Sequence, residues 1–186
     1  VFLANPNNPT GTLIDSIALN KLADQLPSQA LLVLDEAYGE YIENFDTGLE
    51  LVKRKNNIFI TRTFSKIHGL GSLRVGWGYG PDHVIDALLR VKGPFNISSV
   101  GQEVATAAIK DQEYIKQCRE KNSRLREELA LALKDINIPS DQSFANFLLL
   151  RFQNKNIANS AEQFLFRNGV IIRNVSNYGL DNCLRV

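Results

Sequence analysis

The 186-residue chain contains no methionine, two cysteines, one tryptophan and two histidines. Two thiols, Cys118 and Cys183, are too few for a disulfide framework, so a reduced, cytoplasmic setting is expected. His68 and His83 lack the spacing of a metal-ligand pair. The longest apolar runs, such as Ala30 to Leu34, fall far short of the ~20 residues that cross a bilayer. No basic stretch followed by an apolar one opens the chain, so no secretory signal is visible. An excess of one charge is missing too. With 21 basic and 20 acidic residues the net charge is +1, so no general attraction to nucleic acid or to an anionic membrane is expected. Any anion site must therefore be local. What is present, 44% hydrophobic and 22% charged residues, describes a globular protein of one medium domain or a domain and a fraction. The chain also opens on Val1 inside an apolar run and stops within another at Leu184-Arg185-Val186. With methionine absent, a fragment of a longer chain is expected.

Short apolar runs alternate with stretches of helical period, which points to α/β architecture. Strands are expected at Val1 to Asn5, Ala30 to Leu34, Asn57 to Thr63 and, interrupted by glycine, Leu73 to Tyr79. Helices are expected near Asp15 to Gln25, with Asp15 or Ser16 as the cap, at Leu49 to Lys55 and after Pro81. From about Ser98 the character changes: helices at Ser99 to Lys110 and Gln112 to Asp135, the second carrying a solvated charged face. A strand at Asn146 to Phe152, a helix at Asn159 to Asn168 ended by Gly169, a strand at Val170 to Arg173 and a polar loop at Asn174 to Asn182 complete the reading. A domain boundary is expected inside the long helix, near Arg119 to Arg126.

Open α/β sheets gather functional residues at the carboxyl ends of their strands. Four such ends carry unusual residues here: Asn8 in a proline-rich turn, Asp35 with Tyr38, Thr63-Phe64-Ser65-Lys66, and Arg74. Each has an ordinary reading, as loop former, strand terminator or solvated surface charge. Asp35-Glu36 also imitates the acidic end of a Walker B strand, which keeps a nucleotide hydrolase open, although no Gly-x-x-x-x-Gly-Lys-Ser/Thr loop occurs. The glycines at 69, 71, 76, 78 and 80 do not fit a dinucleotide-binding fingerprint.

The combination is far more specific than its parts. Asn-Pro-Asn-Asn-Pro-Thr-Gly, then Asp-x-Ala-Tyr, then Ser-Lys followed eight residues later by Arg, resembles the class I/II aminotransferases over essentially the whole chain. Within that family the stretches Thr-Phe-Ser-Lys-Ile-His-Gly-Leu-Gly-Ser-Leu-Arg-Val-Gly-Trp-Gly-Tyr-Gly and Pro-Phe-Asn-Ile-Ser-Ser are most similar to the histidinol-phosphate enzymes. The resemblance implies fold type I of the pyridoxal-phosphate-dependent transferases. That fold has a large domain with a mainly parallel sheet, here residues 1–120, and a small α+β C-terminal domain, here 121–186, both incomplete. It implies transamination from histidinol phosphate to 2-oxoglutarate, a homodimer, and small-molecule amino donors and 2-oxo acids as partners. Aromatic-amino-acid aminotransferases and threonine-phosphate decarboxylases share the cofactor residues and stay as alternatives. A fold-only, non-catalytic relative stays as another.

Pyridoxal 5′-phosphate needs an amine to hold its aldehyde, and Lys66 matches the family lysine, serving also as the base that moves the α-proton. Asp35 matches the carboxylate that keeps the pyridine nitrogen protonated, a role expected to use low dielectric at the strand end. Tyr38 and Asn8 match the donors to the ring's 3′-oxygen. Thr63 and Ser65 offer hydroxyls to the phosphate, and Arg74 a guanidinium expected to be semi-buried among its apolar and glycine neighbours. Arg185 matches the arginine that grips the substrate's α-carboxyl end, and Arg173 the one aimed at a substrate phosphate. Glu36, Trp77, His68 and His83 read as structural, and the two cysteines as free thiols. The family's chain begins well before Val1, with a phosphate loop, a stacking aromatic and a cross-subunit contact there. Residues 1–186 alone are therefore expected to bind the cofactor weakly and to turn over little.

Overall fold

A computed structural model of the chain describes residues 1–45 and 47–186. Contacts divide it into two compact units, Val1–Pro6 with Ile14–Glu120, and Asn7–Leu13 with Lys121–Val186. The division falls inside one helix.

The first unit is built on a four-stranded sheet of β1 (Phe2–Ala4), β2 (Leu32–Asp35), β3 (Ile58–Thr63) and β4 (Gly76–Tyr79), in that spatial order. β1, β2 and β3 run parallel, and β4 closes the sheet antiparallel to β3. Helices α1 (Ser16–Gln25) and α2 (Thr47–Arg54) connect the parallel strands, as parallel pairing requires a crossover. Asp15 caps α1, accepting from the Ala18 N–H at 2.8 Å. Leu19 and Ala23 on α1 pack with Leu32, Leu34, Leu51, Ile58 and Ile60 into the main core. Burying each such leucine or isoleucine contributes about 1.5–3 kcal/mol, and the continuous apolar runs of β2 and β3 supply most of them.

The stretch expected as one strand from Leu73 to Tyr79 divides instead. Gly71–Leu73 is a single 3₁₀ turn, Arg74 has φ 55°, and pairing begins only at Gly76. Glycine in β4 serves close packing. A Cβ on Gly78 would collide with the Phe59 ring of the neighbouring strand. Helices α3 (Asp82–Val91), α4 (Ser99–Lys110) and α5 (Gln112–Asp135) follow. α4 packs Ala105 against Phe64 and Val75 in a second small core.

The second unit holds a three-stranded antiparallel sheet in the order β5 (Leu149–Arg151), β7 (Cys183–Arg185), β6 (Arg173–Asn174). Helix α6 (Lys155–Arg167) starts earlier than its apolar pattern suggested, because Asn154 caps it through the Ile157 N–H at 3.0 Å. Gly169, at φ 79°, ends it. Of the expected Val170 to Arg173 strand only Arg173 pairs, joined by Asn174 from the expected loop, so β6 is displaced toward the loop. The Asn7–Leu13 loop belongs to this unit, and the Phe144 N–H donates to the Gly11 carbonyl at 2.8 Å. Gly11 has φ 72° and no room for a Cβ beside Ser143. The charged face of α5 carries an exposed Arg124–Glu128 pair at 3.4 Å.

Candidate active site

Two sets of the expected site residues come together, one in each unit. In the first unit they gather where β2 and β3 end. Asp35 is the last residue of β2, pairs in register with Thr61 of β3, and accepts the Ala37 N–H at 3.1 Å. Tyr38, 5% exposed, follows in the turn after β2 and stacks near Tyr41 with ring centroids 6.4 Å apart. Burial pushes the Tyr41 phenol up to about 12, so it stays protonated.

The exit of β3 is a tight turn. Thr63 Oγ1 accepts the Ser65 N–H at 3.0 Å, a hydroxyl-closed turn that lifts the chain off the strand. The Leu70 N–H donates to the Phe64 carbonyl, and the Gly69 N–H to that of Lys66, both at 2.9 Å. These bonds hold Lys66 so that its Nζ lies 5.4 Å from the centroid of the Tyr38 ring, a cation–π arrangement. Arg74 returns to the same turn, its Nη1 donating to Ser65 Oγ at 3.3 Å and to the Gly71 carbonyl at 2.9 Å. A left-handed conformation costs a bulky residue about 1–2 kcal/mol. Such strain is typical of a side chain aimed for function.

Two environments differ from expectation. Arg74 is exposed rather than semi-buried, its left-handed backbone at φ 55° carrying the side chain away from its apolar neighbours Leu73 and Val75. Asp35 is exposed as well, and the buried place belongs to the next residue. Glu36 turns to the opposite side and is 1% exposed. Nε and Nη2 of Arg62 donate to its Oε2 at 3.0 and 2.9 Å. Burial pushes the Glu36 carboxyl up, against the opposing pull of Arg62. This pair divides the Asp35-Glu36 dipeptide that imitated a Walker B end. Arg62 itself was missed from sequence, although a charge inside an otherwise apolar strand was a signal to find its partner.

His68 is 8% exposed and packs 4.8 Å from the Phe64 ring. Burial pushes its imidazole below the ordinary value, the Ala108 backbone partly opposing. Its Nδ1 has no hydrogen-bond partner among the described residues.

In the second unit, Arg173 and Arg185 are directly opposed on β6 and β7. Arg185 is held twice: Nη1 donates to Asn8 Oδ1 at 2.6 Å, and its guanidinium lies 4.8 Å from the Phe147 ring centroid. Arg173 is exposed. Two like charges directly opposed on adjacent strands repel, so an anion beside them is favoured. Among the described residues no cluster of His, Cys, Asp and Glu could hold a metal, and no helix is long and apolar enough to cross a membrane.

The solved histidinol-phosphate aminotransferase of Sinorhizobium meliloti, in complex with pyridoxal-5′-phosphate, superposes with a TM-score of 0.91 and 30% identity, covering 99% of this chain and 51% of that one. The architecture is therefore fold type I of the pyridoxal-phosphate-dependent aminotransferases. The family described as Aminotransferase class I and II matches residues 1–186, and the chain belongs to it. Histidinol-phosphate aminotransferases of Cereibacter sphaeroides and Paracoccus denitrificans are 53% and 51% identical over the whole chain. The chain spans about half the length of the curated relatives it matches, 52% and 50% for these two.

Proposed function

We propose that the chain carries the catalytic residues of a pyridoxal-phosphate-dependent aminotransferase. It transfers the amino group of histidinol phosphate to 2-oxoglutarate in histidine biosynthesis, giving imidazole-acetol phosphate and glutamate. The observation that carries the reading is the β3 exit: Lys66 over the Tyr38 ring, flanked by the Thr63, Ser65 and Arg74 hydrogen bonds, with Asp35 ending the adjacent strand. The names of the relatives support the substrate.

An amine, a carboxylate, a phenol, two hydroxyls and a guanidinium are the donor set that a phosphorylated pyridine aldehyde requires. Bound there, the cofactor supplies an electron sink for the pair released when the substrate's Cα–H bond breaks. Lys66 would hold the cofactor at its aldehyde carbon and, once freed by the substrate amine, its Nζ would take up and return the proton of the substrate's Cα–H bond. The Asp35 carboxylate would pair with the pyridine nitrogen and favour its protonated form. As the family resemblance implies, Tyr38 and Asn8 would donate to the ring oxygen, and Thr63, Ser65 and Arg74 would bind the phosphate. Arg185 and Arg173 bind the anionic ends of the substrates, Arg173 the phosphate of the amino donor. One site serves both substrates in turn, so ping-pong kinetics follow. On this reading residues 1–120 are assigned to the large domain and 121–186 to the small one, with the Asn7–Leu13 loop grouping with the latter by its contacts. The whole enzyme is a cytoplasmic homodimer with no nucleic-acid or membrane partner.

The test adds pyridoxal phosphate to the full-length protein and follows visible absorbance. A band in the wild type that is lost in Lys66→Ala supports the reading, and ATP binding without any such band contradicts it. Turnover of histidinol phosphate but not phenylalanine fixes the substrate. The reverse pattern moves it to the aromatic enzymes, and a decarboxylated threonine phosphate moves it to the decarboxylases. Arg173→Ala is expected to weaken phosphorylated substrates selectively, and equal weakening of unphosphorylated ones contradicts its assignment.

A further inference from the structure

Beneath the exposed site lies a second set of charges that the reaction does not touch. Glu36 follows Asp35 directly, and Arg62 precedes Thr63. The Arg62 side chain is 11% exposed and the Glu36 side chain 1%. Besides its two bonds to Glu36, Arg62 places Nη1 3.7 Å from Glu40 Oε1 and lies between the rings of Phe45 and Trp77, 5.7 and 5.5 Å from their centroids. Trp77 is its ladder partner on β4. Glu36 is also met by the Gly48 N–H at the start of α2, and its own N–H donates to the Thr61 carbonyl at 2.9 Å. Glu40 is tied in turn, its carbonyl accepting Arg119 Nε at 2.8 Å. One buried ion pair thus joins β2, β3, β4 and α2 at the level where β2 and β3 end.

Strand alternation gives this joint its consequence. Asp35 and Thr63 face the site, while the residues beside them, Glu36 and Arg62, face inward and grip one another. A buried pair is weak evidence for stability, since apolar residues of similar volume usually serve the fold as well. What apolar packing lacks is the fixed direction of a two-bond guanidinium contact. We infer that Glu36 and Arg62 are positioning residues, whose ion pair fixes the β2 end bearing Asp35 and Tyr38 against the β3 end bearing Lys66. The inference rests on the pyridoxal-phosphate reading above.

The experiment uses the full-length protein loaded with pyridoxal phosphate and compares wild type, Lys66→Ala and the double variant Glu36→Leu with Arg62→Met. The wild-type band and its loss in Lys66→Ala test the cofactor reading separately. If both behave as stated, the double variant decides. It is expected to melt near the wild type, because the apolar pair fills the space. The pH midpoint of its absorbance band is expected to move by about half a unit or more as Asp35 loses its aim at the ring nitrogen. Its kcat is expected to fall about 10- to 100-fold, as misplacement by an ångström does, with little change in KM for the amino donor. An unchanged midpoint and kcat in a folded double variant overturns the inference. Glu36→Gln, which keeps the shape and one acceptor oxygen, replaces the double variant if that one does not fold. A smaller shift in the same direction is expected of it, and an unchanged midpoint and kcat again overturns the inference.

Discussion

Asp35 and Glu36 are consecutive acidic residues, yet one stands exposed at the strand end and the other is buried against Arg62. The same division repeats on β3, where Thr63 turns to the site and Arg62 turns beneath it. A period of two residues therefore separates chemistry from support at a single sheet edge. In the upper row Asp35 is exposed and Thr63 partly so, each accepting a hydrogen bond within a short-range turn, an arrangement suited to meeting ligands. The lower row is dry and cross-linked between elements, suited to holding distances. The difference teaches that the most buried charged residue of this edge, Glu36, is not among the groups proposed to do the chemistry.

Substitutions should break the two rows in different ways. The largest effect is expected in the upper row, where Lys66→Ala removes the residue proposed as both the cofactor's anchor and the base. The rate should fall by at least about 10²–10⁴-fold, with little change in melting temperature, measured by assay and calorimetry. In the lower row the order reverses. Arg62→Met leaves the buried Glu36 carboxylate without its main partner and should cost about 3–5 kcal/mol in denaturant unfolding. That loss should shrink at acid pH, because protonating a carboxyl already pushed up by burial removes the unpaired charge.

His68 sharpens the contrast through pH. Its folded imidazole lies below the ordinary value, so the unfolded chain takes up a proton first as the solution is acidified. Its contribution is present above about pH 6.5 and is lost as pH falls below that value toward the lowered folded one. His68→Phe should flatten this part of the pH–stability curve, measured by melting at a series of pH values. The smallest effect is expected outside both rows. Glu128→Gln breaks only the exposed pair with Arg124 and should change stability by less than about 0.5 kcal/mol.

Much of this was legible in the residues. The apolar runs at Ala30 to Leu34 and Asn57 to Thr63 announced strands, and of the two cap candidates for α1, Asp15 and Ser16, the structure uses Asp15. The Thr63-Phe64-Ser65-Lys66 stretch and Arg74 stood out as unusual residues at strand ends, and the Arg74 to Ser65 hydrogen bond joins them. Less legible was anything set by partners distant in the chain. The pairing of Arg62 with Glu36 joins residues 26 apart, and that of Arg185 with Asn8 joins residues 177 apart, so no local pattern carries either. The exposure of Arg74 was misjudged because apolar neighbours in sequence do not cover a side chain that leaves a left-handed residue. The strand at β6 was misplaced because Val170 to Ile172 are apolar without being paired.

The central claim is that Lys66, among all the lysines of the chain, holds the cofactor. Borohydride reduction of the full-length protein after treatment with pyridoxal phosphate, followed by peptide mapping, tests it directly. The account predicts a single dominant pyridoxyl label on the peptide containing Lys66, lost when substrate amine is added before reduction. Label spread over surface lysines such as Lys53 and Lys155, with Lys66 unmodified, would contradict it.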